Sequence, residues 1–263
     1  MVIPRVAPTS SSKIFSDPLV VSALGVTLSC SFWLTCSYII LSTLTPLALC
    51  ASASLATANL FWLGSYIWHH RSELYYETSL LYGIFRNYLF PDTYSWWNKI
   101  DDHLYVGAIP LHQPKHLEQI PQLLGEKLAI LSILEPFELE DKYVFTTAVA
   151  HKEWQDQGIE TLQLPALDCA GVNQETIVKG IQFIRDMHAA GRTVYVHCKA
   201  GVGRSATIVA CKILQDGLEN GTNFHSTQDA IQYIRNIRNQ VTIYKGHARA
   251  AIETFFANLK GKR

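Results

Sequence analysis

Hydrophobic and polar positions divide the chain sharply. No Lys, Arg, Asp or Glu stands between Asp17 and Arg71, and Pro18–Trp68 is a 51-residue run without charge. As one helix it would reach ~77 Å, against ~30 Å for a hydrocarbon core. That is wasteful for one crossing and sufficient for two. Ser42, Thr43, Leu44, Thr45 and Pro46 interrupt the run and predict two transmembrane helices, near 19–41 and 47–68. A cleaved signal peptide has a far shorter apolar core and does not account for the second segment. Arg5 and Lys13 precede the run, and Arg71 and Arg86 follow it. Basic residues at both outer ends suit a hairpin in residues 18–68, with the tail 1–17 and all that follows on the same, cytosol-like side.

Residues 69–94 read as a connector. Positions 72–97 carry nine aromatics: Tyr75, Tyr76, Tyr82, Phe85, Tyr88, Phe90, Tyr94, Trp96 and Trp97. Leu74, Leu81, Phe85 and Leu89 recur near helical spacing up to a break at Phe90–Pro91. Such a helix suits either a bilayer interface or the core of the next domain.

From about residue 95 to the end the pattern alternates. Leu104–Val106, Leu128–Leu134, Ile159–Leu164 and Thr193–Val196 read as strands. Helices are predicted over 114–124, 173–190, 205–214, 227–237 and 247–259, with Asn173 as an N-cap and Gly191 as a stop. The fold class is therefore α/β, a central mostly parallel sheet flanked by helices, with its ligand off the carboxyl ends of the strands.

Composition changes the picture in two places. Net charge is zero, which argues against a nucleic-acid partner. The six cysteines form no disulfide framework. Cys30, Cys36 and Cys50 lie in the uncharged run, and Cys169, Cys198 and Cys211 stand at no metal-ligand spacing. His112 and His116, four apart, read as a solvated helix face.

The candidate chemistry follows the last strand, in Tyr195-Val196-His197-Cys198-Lys199-Ala200-Gly201-Val202-Gly203-Arg204-Ser205. A buried strand, a short loop with two glycines and a helix start can turn successive N–H groups inward as an anion cradle. Lys199, Ala200, Gly201, Val202, Gly203 and Arg204 would form its wall. Cys198 at its floor would be favoured as thiolate, the nucleophilic form. The planar fork of Arg204 matches two phosphate oxygens. No metal or other cofactor is implied, because Arg204 and the amides neutralise the charge.

This stretch resembles the His-Cys-five-residues-Arg-Ser signature of the cysteine-dependent phosphatases. The resemblance implies a general acid about thirty positions before the cysteine in the dual-specificity branch. Asp168, at the end of a strand, stands thirty positions before Cys198; Asp156 precedes the strand and Asp186 lies inside a helix. The family also implies that Ser205 donates to the departing thiolate and that His197 orients the cysteine. Cys169, beside Asp168, could trap an oxidised Cys198. A finer resemblance joins Trp96-Trp97-Asn98-Lys99-Ile100-Asp101, Leu104-Tyr105-Val106-Gly107-Ala108-Ile109-Pro110, Leu134-Glu135-Pro136-Phe137-Glu138 and Tyr233-Ile234-Arg235-Asn236-Ile237-Arg238. These look like the mitochondrial-type protein tyrosine phosphatases, which dephosphorylate phosphatidylglycerophosphate. The likeness covers about 95–245 and implies a phospholipid substrate, such as phosphatidylglycerophosphate or a phosphoinositide, met at a lipid bilayer. Lys199 suits a multiply charged headgroup, and Val202 stands where relatives carry a basic or polar residue. The alternatives are an anchored phosphatase of phosphotyrosine or phosphoserine/threonine proteins, and a phosphate-binding module without turnover.

Overall fold

The computed structural model describes residues 46–69, 71–125, 127–139, 147–221 and 224–261. The tail and the first predicted span lie outside these residues. The chain divides into two compact units, the first reaching Thr78 and the second starting at Ser79.

In the first unit, helix α1 spans Pro46–His69 and covers the second predicted span. Leu60, Phe61, Ile67 and Trp68 are exposed on it, and Trp62 stacks on Tyr66 with ring centroids 5.6 Å apart. Among the described residues no helix is long and apolar enough to cross a membrane. Helix α2, Arg71–Leu89, whose residues from Ser79 on belong to the second unit, forms where the connector was expected to be helical, and ends before Pro91, whose ring disfavours helical geometry at the residue ahead of it.

The second unit carries the sheet. Its strands are β1 (Trp97–Asp101), β2 (Leu104–Gly107), β3 (Leu128–Ile133), β4 (Glu160–Leu164) and β5 (Thr193–His197), in the order β1-β2-β5-β3-β4. Of the paired strands among the described residues, only β1 and β2 run antiparallel. Helix α3 (His116–Leu124) lies between β2 and β3, α4 (His151–Gln155) precedes β4, and α5 (Gln174–Ala189) leads into β5. Then follow α6 (Arg204–Asn220), α7 (Thr227–Ile237) and α8 (Gly246–Gly261). The sequence pattern missed β1, whose Trp97 and Asn98 are only half-buried, and the five-residue α4.

Every residue of β3 is buried, as a strand covered on both faces requires. Alternate side chains feed two cores. Leu128, Ile130 and Tyr195 pack with Ile120, Trp154 and Ile159. On the other face, a side chain at Gly180 of α5 would collide with Ile208 of α6 and touch Leu131, so glycine there lets two helices close on the sheet. Asn173 caps α5 as predicted, accepting from Thr176 N–H at 2.7 Å.

One expectation is overturned. His116 is 1% exposed and does not share a solvated face with His112. His112 lies in the turn before α3, and its Nε2 is 3.1 Å from Glu153 Oε2. His116 accepts from Leu111 N–H at 3.1 Å, and its ring meets the edges of Trp96 and Trp97 at 4.6 and 5.2 Å. Burial pushes its pKa down to about 4, so the ring packs as a neutral aromatic.

Candidate active site

The loop from Cys198 to Gly203 leaves the carboxyl end of β5, and Arg204 opens α6. Five successive loop carbonyls bond away from the loop's centre. Lys199 O accepts from Ile109 N–H at 3.1 Å, Val202 O from Thr242 N–H at 2.9 Å and Gly203 O from Thr207 N–H at 2.8 Å. Ala200 O and Gly201 O accept from Arg238, through Nη2 at 3.1 Å and Nε at 2.8 Å. A trans peptide places its N–H opposite its C=O. Holding these carbonyls outward therefore turns the N–H groups of residues 200–204 toward the centre, as an anion cradle requires.

Two glycines make this close packing feasible. Gly201 has φ +68, and a side chain on it would overlap the main chain of Gly107. Gly107 in turn faces the Tyr195 hydroxyl, which donates to Ala108 O at 2.6 Å.

Arg238 is a structural anchor that sequence reasoning missed. It is 1% exposed and also donates to Ser95 O and to Asn98 Oδ1. Burial pushes its pKa down to about 10, which leaves it charged at neutral pH. The Trp96-Trp97-Asn98 stretch thereby acquires a purpose, since Asn98 steadies the guanidinium that shapes the loop.

Cys198 is 3% exposed. Burial opposes its ionisation, but the nearby Arg204 and the Ser205 hydroxyl and N–H outweigh that, and the thiol pKa falls below its ordinary value. Ser205 Oγ donates to Cys198 Sγ at 3.3 Å. Arg204 is itself buried and fixed by a second missed residue, Glu138: Nη1 and Nη2 meet the two carboxylate oxygens at 2.5 and 2.9 Å. Nη1 also donates to Ala166 O. Glu138 sits in the three-residue-per-turn helix Pro136–Leu139, within a stretch singled out only by resemblance.

Asp168 reaches the same place from the loop after β4. Its Oδ1 is 3.2 Å from Arg204 Nη2, and its Oδ2 pairs with Lys199 Nζ. Burial disfavours its charge, yet Arg204, Lys199 and the Cys169 N–H prevail and hold its pKa below the ordinary value. Lys199 Nζ donates in addition to Ser79 Oγ of α2 at 2.8 Å, another contact with no sequence signature. His197 is buried behind the loop with a pKa pushed down to about 3, chiefly by burial. Cys169 is exposed, with left-handed backbone at φ 59. Cys211 is core, and burial raises its thiol pKa. The structure thus gathers Cys198, Arg204, Ser205, Asp168 and Lys199, with His197 adjoining.

Sheet order and loop define a cysteine-based phosphatase, and comparison with known proteins agrees. Residues 124–254 match the dual specificity phosphatase catalytic domain. The mouse "Phosphatidylglycerophosphatase and protein-tyrosine phosphatase 1" is 35% identical over 172 residues, 65% of this chain and 81% of the mouse protein. The Arabidopsis thaliana "Phosphatidylglycerophosphate phosphatase PTPMT1" is 31% identical over 183 residues, 69% of this chain but 48% of that longer protein. The crystal structure of PTPMT1 in complex with PI(5)P superposes with a TM-score of 0.52 at 28% identity, covering 64% of this chain and 99% of that one. The chain belongs to the dual-specificity-type phosphatases, within the phosphatidylglycerophosphatase and protein-tyrosine phosphatase family. It is a cysteine-based phosphoric monoester hydrolase.

Proposed function

We propose that this chain is a membrane-anchored phosphatase of a phospholipid monoester, with phosphatidylglycerophosphate or a monophosphorylated inositide as substrate. One observation carries the substrate reading: Lys199, a second cation beside Cys198, is tied to α2 through Ser79. From there α2 runs on with Leu81, Tyr82, Phe85, Tyr88 and Leu89 exposed. A large exposed aromatic face on a helix bonded to the active-site lysine suits a lipid surface. The names of the mouse and Arabidopsis relatives and the inositide bound to PTPMT1 point the same way.

The anchor rests on the sequence. The uncharged run 18–68, with its break at 42–46 and basic flanks, reads as a two-helix hairpin. The catalytic unit then lies on the reducing, cytosol-like side, where Cys198 stays reduced.

In this reading the Cys198 thiolate attacks phosphorus while Asp168 gives a proton to the leaving alcohol. Water then cleaves the cysteinyl phosphate, with Asp168 as base and Ser205 donating to the departing sulfur. Arg204 and the inward N–H groups hold the phosphoryl oxygens. A phosphate dianion there competes with Asp168 for Arg204 and Lys199. The carboxyl, released from its cations beside a dianion, takes up the proton that it later donates.

The test is phosphate release by the full-length chain in vesicles. Phosphatidylglycerophosphate, a monophosphorylated inositide and a phosphotyrosine peptide are compared at equal concentration. Faster turnover of a lipid supports the proposal. Peptide turnover above both lipids would replace it with a protein phosphatase, the second activity in the mouse relative's name.

A further inference from the structure

A buried chain of polar side chains lies behind the nucleophile. Ser132 on β3 pairs in register with His197 on β5, and its Oγ is 2.7 Å from His197 Nε2. The same oxygen is 2.8 Å from Nε2 of His151, the first residue of α4. Ser132 and His197 are buried, whereas His151 is half-buried. His197 Nδ1 is also buried and lies against the main chain of Cys198 without a well-formed hydrogen bond.

A hydroxyl has one proton. When Ser132 donates to one imidazole it accepts from the other, so the two tautomers are coupled. With His151 donating through Nε2–H, Ser132 donates to His197 Nε2, and the His197 proton sits on Nδ1 toward Cys198. Running the chain the other way leaves a lone pair there. Burial keeps both rings below their ordinary pKa, so at neutral pH each carries a single ring proton. The ionisable groups acting on Cys198 are Arg204 and Asp168, with Tyr195 and Arg238 also coupled to it. Tyr195 stacks on His197 at 5.7 Å. Arg204 also acts on His197. Against this fixed background the direction of the chain is the adjustable element. A Nδ1–H turns the positive edge of the imidazole toward the main chain of the residue that carries the thiolate.

We propose that His151 is a positioning residue for the nucleophile: through Ser132 it sets the tautomer of His197 and thereby the thiolate fraction of Cys198. The proposal rests on Cys198 being the reactive thiol, but its test needs no turnover. In the full-length protein, iodoacetamide alkylation of Cys198 is followed against pH by peptide mass spectrometry. The His197 tautomer is read by 15N NMR in the same samples. His151→Leu removes the donor and adds no charge, and His151→Gln restores one through its amide. The Leu variant should move the His197 proton to Nε2 and lower alkylation of Cys198 below its midpoint by about three- to tenfold, the size of a shift of up to one pKa unit. The Gln variant should resemble wild type. Ser132→Ala should reproduce the alkylation loss, and it decides the matter should His151→Leu fold poorly. Equal alkylation midpoints across these variants, or a His197 proton on Nε2 in the wild type, would overturn the proposal. A shifted midpoint in a protein that turns over no phosphomonoester would leave the relay standing and remove the proposed function.

Discussion

Glu138 and Arg204 face each other as a bidentate pair inside the molecule, 1% and 3% exposed, with Nη2 2.9 Å from Oε1. The pair fixes the plane of the guanidinium that closes the cradle. Breaking a buried pair by removing one partner costs about 3–5 kcal/mol, because a charge is left uncompensated. Glu138→Ala should lower stability by that order in urea denaturation. Glu138→Gln keeps the shape and loses the charge, and should weaken vanadate binding by about tenfold, on the order of 1.4 kcal/mol. Unchanged vanadate affinity would show that Arg204 is held by the rest of the loop alone.

Asp168 bridges Lys199 and Arg204, and its role as acid is separable from that contact. Asp168→Asn should slow an alkyl phosphate by about 100-fold or more, the usual scale of general-acid catalysis. An aryl phosphate with a good leaving group should lose much less in its first step. Steady-state kcat/KM on both substrates checks this, and equal losses would remove Asp168 from the role.

Lys199 and Ser79 should act on substrate choice. Lys199→Met should raise KM for a lipid with two phosphates by about tenfold while changing kcat little, the pattern for lost uniform binding. Ser79→Ala, which frees the ammonium without removing it, should shift KM in the same direction by about threefold, a loss of about 0.6 kcal/mol that suits one hydrogen bond. A soluble aryl phosphate should show neither effect. A kcat loss shared by all substrates would instead assign Lys199 to the chemistry.

The buried histidines make a pH prediction. His116 and His197 have folded pKa values pushed down to about 4 and about 3 by burial, from 6.5. Between about pH 6.5 and 4 the unfolded chain binds protons that the native one refuses. Stability therefore rises with pH in that window and falls on acidification, by up to about tenfold in the unfolding constant per pH unit for each such ring. His116→Gln should flatten the slope measured by thermal unfolding from pH 6.5 to 4. An unchanged slope would mean that His116 protonates without unfolding.

Much of the sheet was legible in the chain, because buried strands such as Leu128–Ile133 are apolar runs, here broken only by Ser132. The loop after β5 was legible because a cysteine, two glycines and an arginine at that spacing serve few other purposes. What stayed hidden was the support. Glu138, Arg238, Ser132, His151 and Ser79 lie 60, 40, 66, 47 and 119 positions from Cys198, and each acts through long-range hydrogen bonds that leave no periodicity. Arg238 is the clearest case: an arginine at a helix end reads as solvent-facing, and only the fold shows that its fork holds two loop carbonyls. His116 misled for a related reason, since a four-residue spacing implies a shared face only if both residues are in the helix.

In the proposed mechanism a phosphoryl group passes through Cys198. The most direct measurement is acid quenching of full-length Asp168→Asn protein during turnover of an aryl phosphate, followed by peptide mass spectrometry. Phosphate should appear on Cys198, accumulating because the variant lacks the base for the second step, and should be absent in Cys198→Ser. Turnover with no phosphorylated Cys198 peptide, or turnover that persists in Cys198→Ser, would contradict it.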